Sequence, residues 1–420
     1  MNRIEPLAND YIAVYTSDTS KDEYCYTPGI CVLSNGRIIA TVDHKGPEVP
    51  EEETGMIFVS DDGEHFRRTG YFPLVHARPF EAGGSVYILG QRKRVGILRS
   101  DDWGETWSPV SWLTEPEPEG CSWGSSANNV WYTENRLYLV MDHKVAPDCK
   151  AWPVAAQAPV LMRANVHDDL LKRESWTFAS EMFFRDVIDQ DALDYFGVPF
   201  FQVPRGGVID TAEGHAGLAG KRRICAPIGW LETNVVRIED EKHYWYDPSG
   251  HTYHLLMRAH TGGSGYACLA KVVEKEDGTM ETSFEHVPSG RRIVFFPLPG
   301  GQMRFHVLYD EKTRLYWLLS TQATDSMTRS ELLPEDRYNL PNNERRRLVL
   351  HFSKNLVDWC FAGLVAMGES EKASRHYASM AIDGNDLLVF SRSGDQHARD
   401  AHDGNLSTLH RVKNFRDLVY

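Results

Sequence analysis

The sequence predicts an all-β fold and, within that class, a six-bladed β-propeller, with seven blades as the alternative. Three observations predict it. Six hairpin signals, in which a turn of Asn, Asp or Gly separates two strand-forming runs, are spread over the 420 residues. Few segments of the sequence show the 3.6-residue periodicity of a long helix. Aromatic residues are abundant, with 18 Tyr, 18 Phe and 11 Trp, as suits packed sheets.

The six hairpin signals follow one another along the whole chain. They lie at residues 30–42, 80–89, 130–141, 244–257, 305–320 and 380–391. Repeats of this kind close best as four-stranded blades around a central channel. The segment at 11–16 (YIAVYT) is predicted to add the closing strand of the last blade. Residues 1–420 are therefore predicted to form one propeller domain.

Two long stretches do not follow the hairpin pattern. Residues 181–228 and 325–347 mix charge, Pro and Gly without period-two alternation. We interpret both as long loops between blades, where a rigid β scaffold commonly carries its binding surface. The arginine run at 345–347 is interpreted as a solvated part of the second loop.

Composition excludes several classes of partner. The chain carries 45 Lys and Arg against 59 Asp and Glu, a net charge of −14, which disfavours nucleic acid and anionic membranes as partners. Seven cysteines without zinc-ligand spacing and dispersed histidines predict thiols and no metal, and no motif for another cofactor is present. No leader or long apolar run is visible, so we expect a cytoplasmic protein, or a secreted or periplasmic one if a leader has been removed. The oligomeric state stays open.

A second repeat concerns the turns. Residues 60–66 (SDDGEHF) and 100–107 (SDDWGETW) approach the Asp-box, or BNR, pattern Ser-x-Asp-x-Gly-x-x-Trp, and 353–359 (SKNLVDW) is a degenerate copy. The pattern makes a tight turn in which Asp accepts backbone N–H groups and Gly adopts a left-handed conformation. Its role is structural.

Asp boxes on six hairpin units resemble the sialidase (neuraminidase) superfamily of six-bladed propellers. The resemblance implies a carbohydrate-active enzyme, an exo-acting glycoside hydrolase that removes a terminal, acidic sugar from a glycan. Members carry a Phe/Tyr-Arg-Ile-Pro signature before the first hairpin, and the matching segment here is 25–43 (CYTPGICVLSNGRIIATVD). Tyr26 stands where the family has the first of its three carboxylate-binding arginines, which argues against sialic acid itself.

The resemblance also assigns catalytic roles. A glutamate at the start of a strand and an arginine at the end of the next match Glu232 and Arg258. The segment HYASMAIDGNDLLVF places Tyr377 at the family's nucleophile, which needs a base because a phenol of pKa about 10 is otherwise a poor nucleophile. The expected acid/base carboxylate lies after the first hairpin, where Asp43 is a candidate.

A more distant resemblance is to propellers that cleave rhamnosyl-glucuronate and to ulvan lyases, in which an early-blade histidine is implicated. His44 follows the first hairpin here and predicts the alternative function, a lyase acting at a uronic acid. A non-catalytic glycan-binding propeller is the third possibility. The residues expected to contact substrate, beyond those already named, are Arg78, His260, Arg304, His376 and Arg392.

Overall fold

The computed structural model describes residues 4–19, 22–147, 154–188, 229–259, 265–326, 328, 332 and 344–420. It is a six-bladed β-propeller, as predicted. Each blade is an antiparallel sheet of four or five strands, and strand order in the sheet follows the chain. The first strand of each blade begins at one end of the propeller, called the mouth below.

Strand β1 (Ile12–Thr16) belongs to the last blade. The strands of blade 1 are β2 (Tyr24–Cys25), β3 (Gly29–Val32), β4 (Ile38–Lys45), β5 (Gly55–Ser60) and β6 (Arg67–Phe72). The strands of blade 2 are β7 (Val75–Ala82), β8 (Ser85–Arg92), β9 (Arg94–Ser100) and β10 (Ser111–Trp112). The strands of blade 3 are β11 (Cys121–Gly124), β12 (Trp131–Tyr132), β13 (Arg136–Val145), β14 (Gln157–Asn165) and β15 (Trp176–Phe178).

A single helical turn, α1 (Phe184–Val187), follows blade 3. The main strands of blade 4 are β16 (Trp230–Val236), β17 (Thr252–Ala259), β18 (Tyr266–Glu274) and β19 (Met280–Ser283). A small hairpin of β20 (Glu285–His286) and β21 (Arg292–Ile293) precedes β22 (Phe295–Pro297), which pairs with β18. The strands of blade 5 are β23 (His306–Asp310), β24 (Leu315–Thr321), β25 (Arg347–Ser353) and β26 (Cys360–Met367). Blade 6 contains β27 (Arg375–Asp383), β28 (Asp386–Ser393), β29 (Leu406–Val412) and β1.

The hydrophobic core lies between neighbouring blades. Successive side chains of a strand point to opposite faces of its sheet, so each second strand packs on two blades at once. In β4, Ala40 packs with Phe390 of blade 6, whereas Ile39 packs with Ile88 of blade 2. The middle of each of these strands is therefore largely apolar on both faces.

The segment predicted to close the propeller does so. In β1, Ile12 pairs with Leu409 and Thr16 with Leu406 of β29, as the fourth strand of blade 6. The ring is thus closed by a strand from the start of the chain.

Three turns between third and fourth strands share one hydrogen-bond pattern. In each, a serine Oγ accepts the N–H of a residue with positive φ. The pairs are Ser60 with Gly63 at 2.9 Å, Ser100 with Gly104 at 2.8 Å, and Ser353 with Leu356 at 2.8 Å. Because the third strand of each blade runs away from the mouth, these turns lie at the opposite end of the propeller, where their role is structural.

The cysteines, the apolar runs and the long loops were also subjects of sequence predictions. The five described cysteines are free thiols. In the described part of the chain, no helix has the length and apolarity to cross a bilayer. The predicted loops at 181–228 and 325–347 fall largely outside the described residues.

Candidate active site

Three first strands enter the mouth with a left-handed residue. His76, Glu232 and Tyr377 have φ of 52°, 57° and 51°, and a β-bulge in the strand pairing follows each. This conformation costs a non-glycine residue about 1–2 kcal/mol. Such strain persists where surrounding structure imposes it, and it concentrates at functional sites. The bulge turns each of these side chains away from the ladder.

The second strands end beside these residues. Arg258 pairs with Leu231, the neighbour of Glu232, and Arg392 pairs with His376, the neighbour of Tyr377. The equivalent positions of blades 1 to 6, called the mouth ring, are Asp43, Gln91, Asp142, Arg258, Thr321 and Arg392. All six are buried. The ring carries carboxyl groups on blades 1 and 3 and guanidinium groups on blades 4 and 6, so it is electrically polarised.

The three residues assigned by the sialidase resemblance come together. The Nη1 of Arg258 lies 2.6 Å from the phenolic oxygen of Tyr377 and 3.2 Å from Oε2 of Glu232. One guanidinium nitrogen thus contacts both the Tyr377 hydroxyl and the Glu232 carboxylate. Burial raises the pKa of Tyr377, with Arg258 acting against the rise and Glu232 adding to it. A phenol, a carboxylate and a guanidinium thus share one buried cluster.

Two more arginines flank the Tyr377 ring. The guanidinium carbons of Arg345 and Arg392 lie 5.4 and 5.5 Å from its centroid. The interpretation of residues 345–347 as solvated is wrong for Arg345, which is 4 % exposed and whose pKa burial lowers to about 10. Local sequence offered no signal for it, because a run of three arginines does not reveal which one turns inward.

His376 holds Arg345 in place. Its Nδ1 lies 3.0 Å from Nη1 of Arg345, and the imidazole is fully buried. Burial holds the pKa of His376 well below its usual range, so the ring is neutral and accepts the hydrogen bond. The expectation that His376 contacts substrate is therefore corrected: it positions Arg345.

Tyr26 supports an arginine from another blade. The Arg392 guanidinium lies 3.7 Å from the Tyr26 ring centroid, and the Tyr26 hydroxyl donates to Oδ1 of Asp403 at 2.9 Å. Blade 1 has Tyr26 where the sialidase pattern has an arginine, and Arg392 of blade 6 places its guanidinium group over the Tyr26 ring. Arg392 lies beside the Tyr377 ring and also donates from Nη2 to the carbonyl oxygen of His402, and its role in binding substrate stays a prediction.

Arg304 was expected to contact substrate, but its donors are used within the protein. Its Nε donates to Oδ1 of Asn128 at 3.0 Å, its Nη2 to Oγ of Ser379 at 2.8 Å, and its Nη1 to the carbonyl oxygen of Tyr377. Burial lowers its pKa to about 10. Arg304 holds the strained backbone of Tyr377 instead.

Arg78 is likewise a structural link. Its Nη2 donates to the carbonyl oxygens of Ser126 at 3.0 Å and Val140 at 2.8 Å, both in blade 3. Burial lowers its pKa to about 9. Arg78 was expected to contact substrate, but its guanidinium group instead links blades 2 and 3 through these hydrogen bonds.

Two buried carboxyl groups bind the strained residues of the following blade. Asp43 Oδ1 accepts the N–H of His76 at 2.7 Å, and Asp142 Oδ2 accepts that of Glu232 at 2.8 Å. Burial raises the pKa of both carboxyl groups to about 7. Asp142 was missed from sequence, although a signal exists: residues 42–45 (VDHK) and 141–144 (MDHK) repeat at the same place in two blades.

His76 completes the Asp43 pair. Its Nδ1 lies 2.6 Å from the carbonyl oxygen of Ser125, to which it donates, so Nε2 faces Oδ2 of Asp43 at 3.3 Å. Burial lowers the pKa of His76.

His44 does not join this cluster. It lies on the face of β4 opposite Asp43, with Nε2 3.1 Å from Oε2 of Glu23 and its ring stacked on Tyr71. His44 was expected to be catalytic, but the structure separates it from the Tyr377 cluster, because successive side chains of a strand point to opposite faces of the sheet. His260 lies outside the described residues.

A cavity of about 430 Å³ opens beside this cluster. Its wall includes Glu232, Asp142 and His76, together with a set of basic side chains: Lys45, Arg92, Lys93 and Lys144. A larger cavity of about 940 Å³, lined by residues such as Trp131, Arg237 and Tyr309, lies at the opposite end, among the hairpins of blades 3 to 5. Glu232 thus connects the Tyr377 cluster to the smaller cavity.

Asp400, His402 and Asp403 bring donor atoms within 4.8 Å of one another. The Oδ1 of Asp400 already accepts two backbone N–H groups, from His402 and Asp403, and Arg399 approaches Asp403 to 3.4 Å. Hydrogen bonds and an arginine therefore balance these carboxylates.

Solved structures with this fold include carbohydrate-active enzymes. The chain is similar to a Penicillium chrysogenum α-L-arabinanase complexed with arabinobiose (12 % identity, 99 % of this chain and 100 % of that chain, TM-score 0.53). It is similar to a Hadza microbial sialidase (14 %, 96 % and 68 %, 0.54) and to the Ruminococcus gnavus intramolecular trans-sialidase in complex with oseltamivir carboxylate (11 %, 96 % and 97 %, 0.52). No protein-family model and no curated protein matches the sequence. The chain has the six-bladed propeller fold that sialidases share with α-L-arabinanases.

Proposed function

We propose that the protein is a glycoside hydrolase that removes a terminal acidic sugar from a glycan. The observation that carries the proposal is the set of three guanidinium groups, of Arg258, Arg345 and Arg392, around Tyr377. Planar guanidinium groups bind carboxylates through paired hydrogen bonds. Three of them converging on one phenol, in a chain of net charge −14, favour an anionic sugar there.

Tyr377 is the proposed nucleophile. A carboxylate nucleophile would be repelled by the acid group of the substrate, whereas a phenol enters the site uncharged. Glu232, which contacts the same Arg258 nitrogen as the hydroxyl, takes the proton as the oxygen attacks the anomeric carbon. The leaving sugar departs as the tyrosyl–glycosyl bond forms, and water then hydrolyses that bond.

Asp43 and His76 form the proposed proton donor to the leaving oxygen. With a pKa near 7, Asp43 retains a proton in a substantial fraction of molecules at neutral pH. Asp43 is buried, whereas the His76 side chain is 31 % exposed and lines the cavity. The proton shared between Oδ2 of Asp43 and Nε2 of His76 is therefore the proposed source of the proton that the leaving oxygen takes.

A uronate lyase is the second candidate, with His76 in place of His44. The observation that favours it is the neutral imidazole of His76 in the cavity wall, whose Nε2 lies 3.3 Å from Oδ2 of Asp43. In that reaction the base removes the proton beside the carboxylate while an arginine neutralises the acid. The product carries a conjugated double bond that absorbs in the near ultraviolet.

The test is a digest of glycans that end in a uronic acid, a nine-carbon acidic sugar or a neutral arabinose. Each digest is read by a reducing-end assay and by ultraviolet absorbance, with Tyr377→Phe protein as the control. Release from acidic ends alone supports the proposal, and equal release from the neutral end contradicts it. An ultraviolet-absorbing product identifies the lyase, and binding without release identifies a glycan-binding propeller.

A further inference from the structure

Three lysines occupy equivalent positions in three consecutive blades. Lys45, Lys93 and Lys144 each lie two residues beyond the mouth-ring residue of blades 1, 2 and 3. All three line the 430 Å³ cavity beside Glu232. We call them the lysine rim. Because the three lysines repeat at one position of the blade, they lie side by side around one cavity, unlike charges that are scattered over a surface.

The three lysines of the rim form no ion pair within the part of the chain that the structure describes, although the charge of Lys45 acts on the nearby Asp43. There, no carboxylate lies within ion-pair distance of any of the three ammonium groups; Lys45 lies 5.9 Å from the Tyr26 ring centroid. Arg92, in the same cavity wall, is by contrast paired with Glu51 at 2.5 Å. The rim therefore presents unpaired donors to whatever enters the cavity.

The positive charge covers one side of the mouth. The equivalent positions of blades 5 and 6 are Ala323 and Gly394, which carry no charge. The three arginines around Tyr377 come from blades 4 to 6, whereas the lysine rim belongs to blades 1 to 3. Asp43 and His76, which belong to blades 1 and 2, are on the lysine side.

We propose that the lysine rim is a second anion subsite, which binds a carboxylate or sulfate group on the sugar next to the cleaved bond. This inference rests on the proposed function, because that function places the terminal sugar at Tyr377. The proton donor to the leaving oxygen is on the rim side, so the leaving sugar must lie there. Clustered ammonium groups bind anions as point charges, in a salt-dependent way. The substrate class is then a polyanionic glycan, with acid groups on both sugars that flank the scissile bond.

Binding to tetrasaccharides tests the rim directly. Calorimetry is done with Tyr377→Phe protein, so that no ligand is consumed, with or without K45Q/K93Q/K144Q. The control triple variant, K242Q/K312Q/K413Q, removes three exposed lysines and the same charge away from the mouth. The probes are tetragalacturonate, which carries carboxylates, a κ-carrageenan tetrasaccharide, which carries sulfates, and neutral maltotetraose.

We expect the rim variant to weaken binding of at least one anionic probe by more than tenfold and to reduce its salt dependence. The probe most affected identifies the preferred anion. Maltotetraose binding and the control variant should not change. Equal binding by the rim variant, or equal weakening by both triple variants, would overturn the subsite.

Turnover separates this inference from the proposed function. For the active enzyme, the rim variant should lower the ratio of kcat/KM on an acidic disaccharide to kcat/KM on a nitrophenyl glycoside by more than tenfold. If no glycan is cleaved but rim-dependent binding persists, the proposed function fails and the subsite stands. If glycans are cleaved with an unchanged ratio and unchanged binding, the subsite alone fails.

Discussion

The phenolic oxygen of Tyr377, in blade 6, lies 2.6 Å from Nη1 of Arg258, in blade 4. The two residues are 119 positions apart in sequence and join non-adjacent blades across the mouth. Because the same Nη1 also contacts Glu232, one guanidinium orients both the proposed nucleophile and its base. Substitutions in this cluster should therefore alter chemistry more than folding.

Tyr377→Phe should lower kcat by at least roughly 10²-fold, the scale of a lost acid–base or nucleophilic group. The change removes one hydroxyl and little volume, so thermal unfolding should stay close to that of wild type. Tyr316→Phe is the control, because its hydroxyl bonds the carbonyl oxygen of Arg237. Turnover of the Tyr377 variant within a few-fold of wild type would remove Tyr377 from the mechanism.

Arg345→Lys should weaken binding of an acidic sugar by more than tenfold, because the charge stays while the planar fork is lost. Binding of a neutral analogue should change little. The control is Arg346→Lys, since that neighbour is partly exposed and its guanidinium bonds Gly368. Inhibition constants for both sugars provide the measurement, and equal losses on the two would show that Arg345 is structural.

Asp43→Asn should change how stability depends on pH. An unfolded Asp titrates near pH 3.9, whereas burial raises the pKa of Asp43 to about 7 in the folded protein. The protonated group therefore contributes stability that is full below about pH 4 and lost as pH rises to about 7, up to roughly 4 kcal/mol.

Asn cannot titrate, so denaturant unfolding of the Asp43 variant should show a smaller loss of stability between pH 4 and 8. The exposed Asp417→Asn variant should follow wild type. Identical pH profiles for all three proteins would mean that Asp43 is ionised throughout.

His76→Gly should be more stable than His76→Ala by about 1 kcal/mol, because alanine is strained at the φ of 52° and glycine is not. Arg67 is an exposed strand residue without positive φ, so there the alanine variant should be more stable than the glycine variant. Chemical denaturation measures both differences. A more stable alanine variant at position 76 would show that the backbone relaxes out of the left-handed region.

The fold was predictable because its signals are local. Each hairpin combines turn residues with strand-forming runs, and the closing strand at 11–16 is rich in β-branched and aromatic residues. Glu232, Arg258 and Tyr377 were found through resemblance, and the structure brings them together.

The remaining site residues depend on contacts between blades, which local sequence does not encode. Arg78 and Arg304 were expected to contact substrate, but both guanidinium groups donate to backbone carbonyl oxygens. Arg345 was missed because its partner His376 lies 31 residues away. His44 was assigned to the site through resemblance and because it follows the first hairpin. Which of Asp43 and His44 faces the Tyr377 cluster depends on how β4 packs between its neighbouring blades, and local sequence does not encode that packing.

The pairing of β1 with β29 has a consequence for synthesis on the ribosome. The pairing of Ile12 with Leu409 cannot form until Leu409, almost 400 residues later, has been synthesised. At about 5–20 residues per second, that wait is roughly 20–80 s. For this time β28 and its neighbours in the last blade do not yet exist, and the first strand has no partner to cover its backbone groups. Nascent chains should therefore need protection of this N-terminal edge until translation is almost complete.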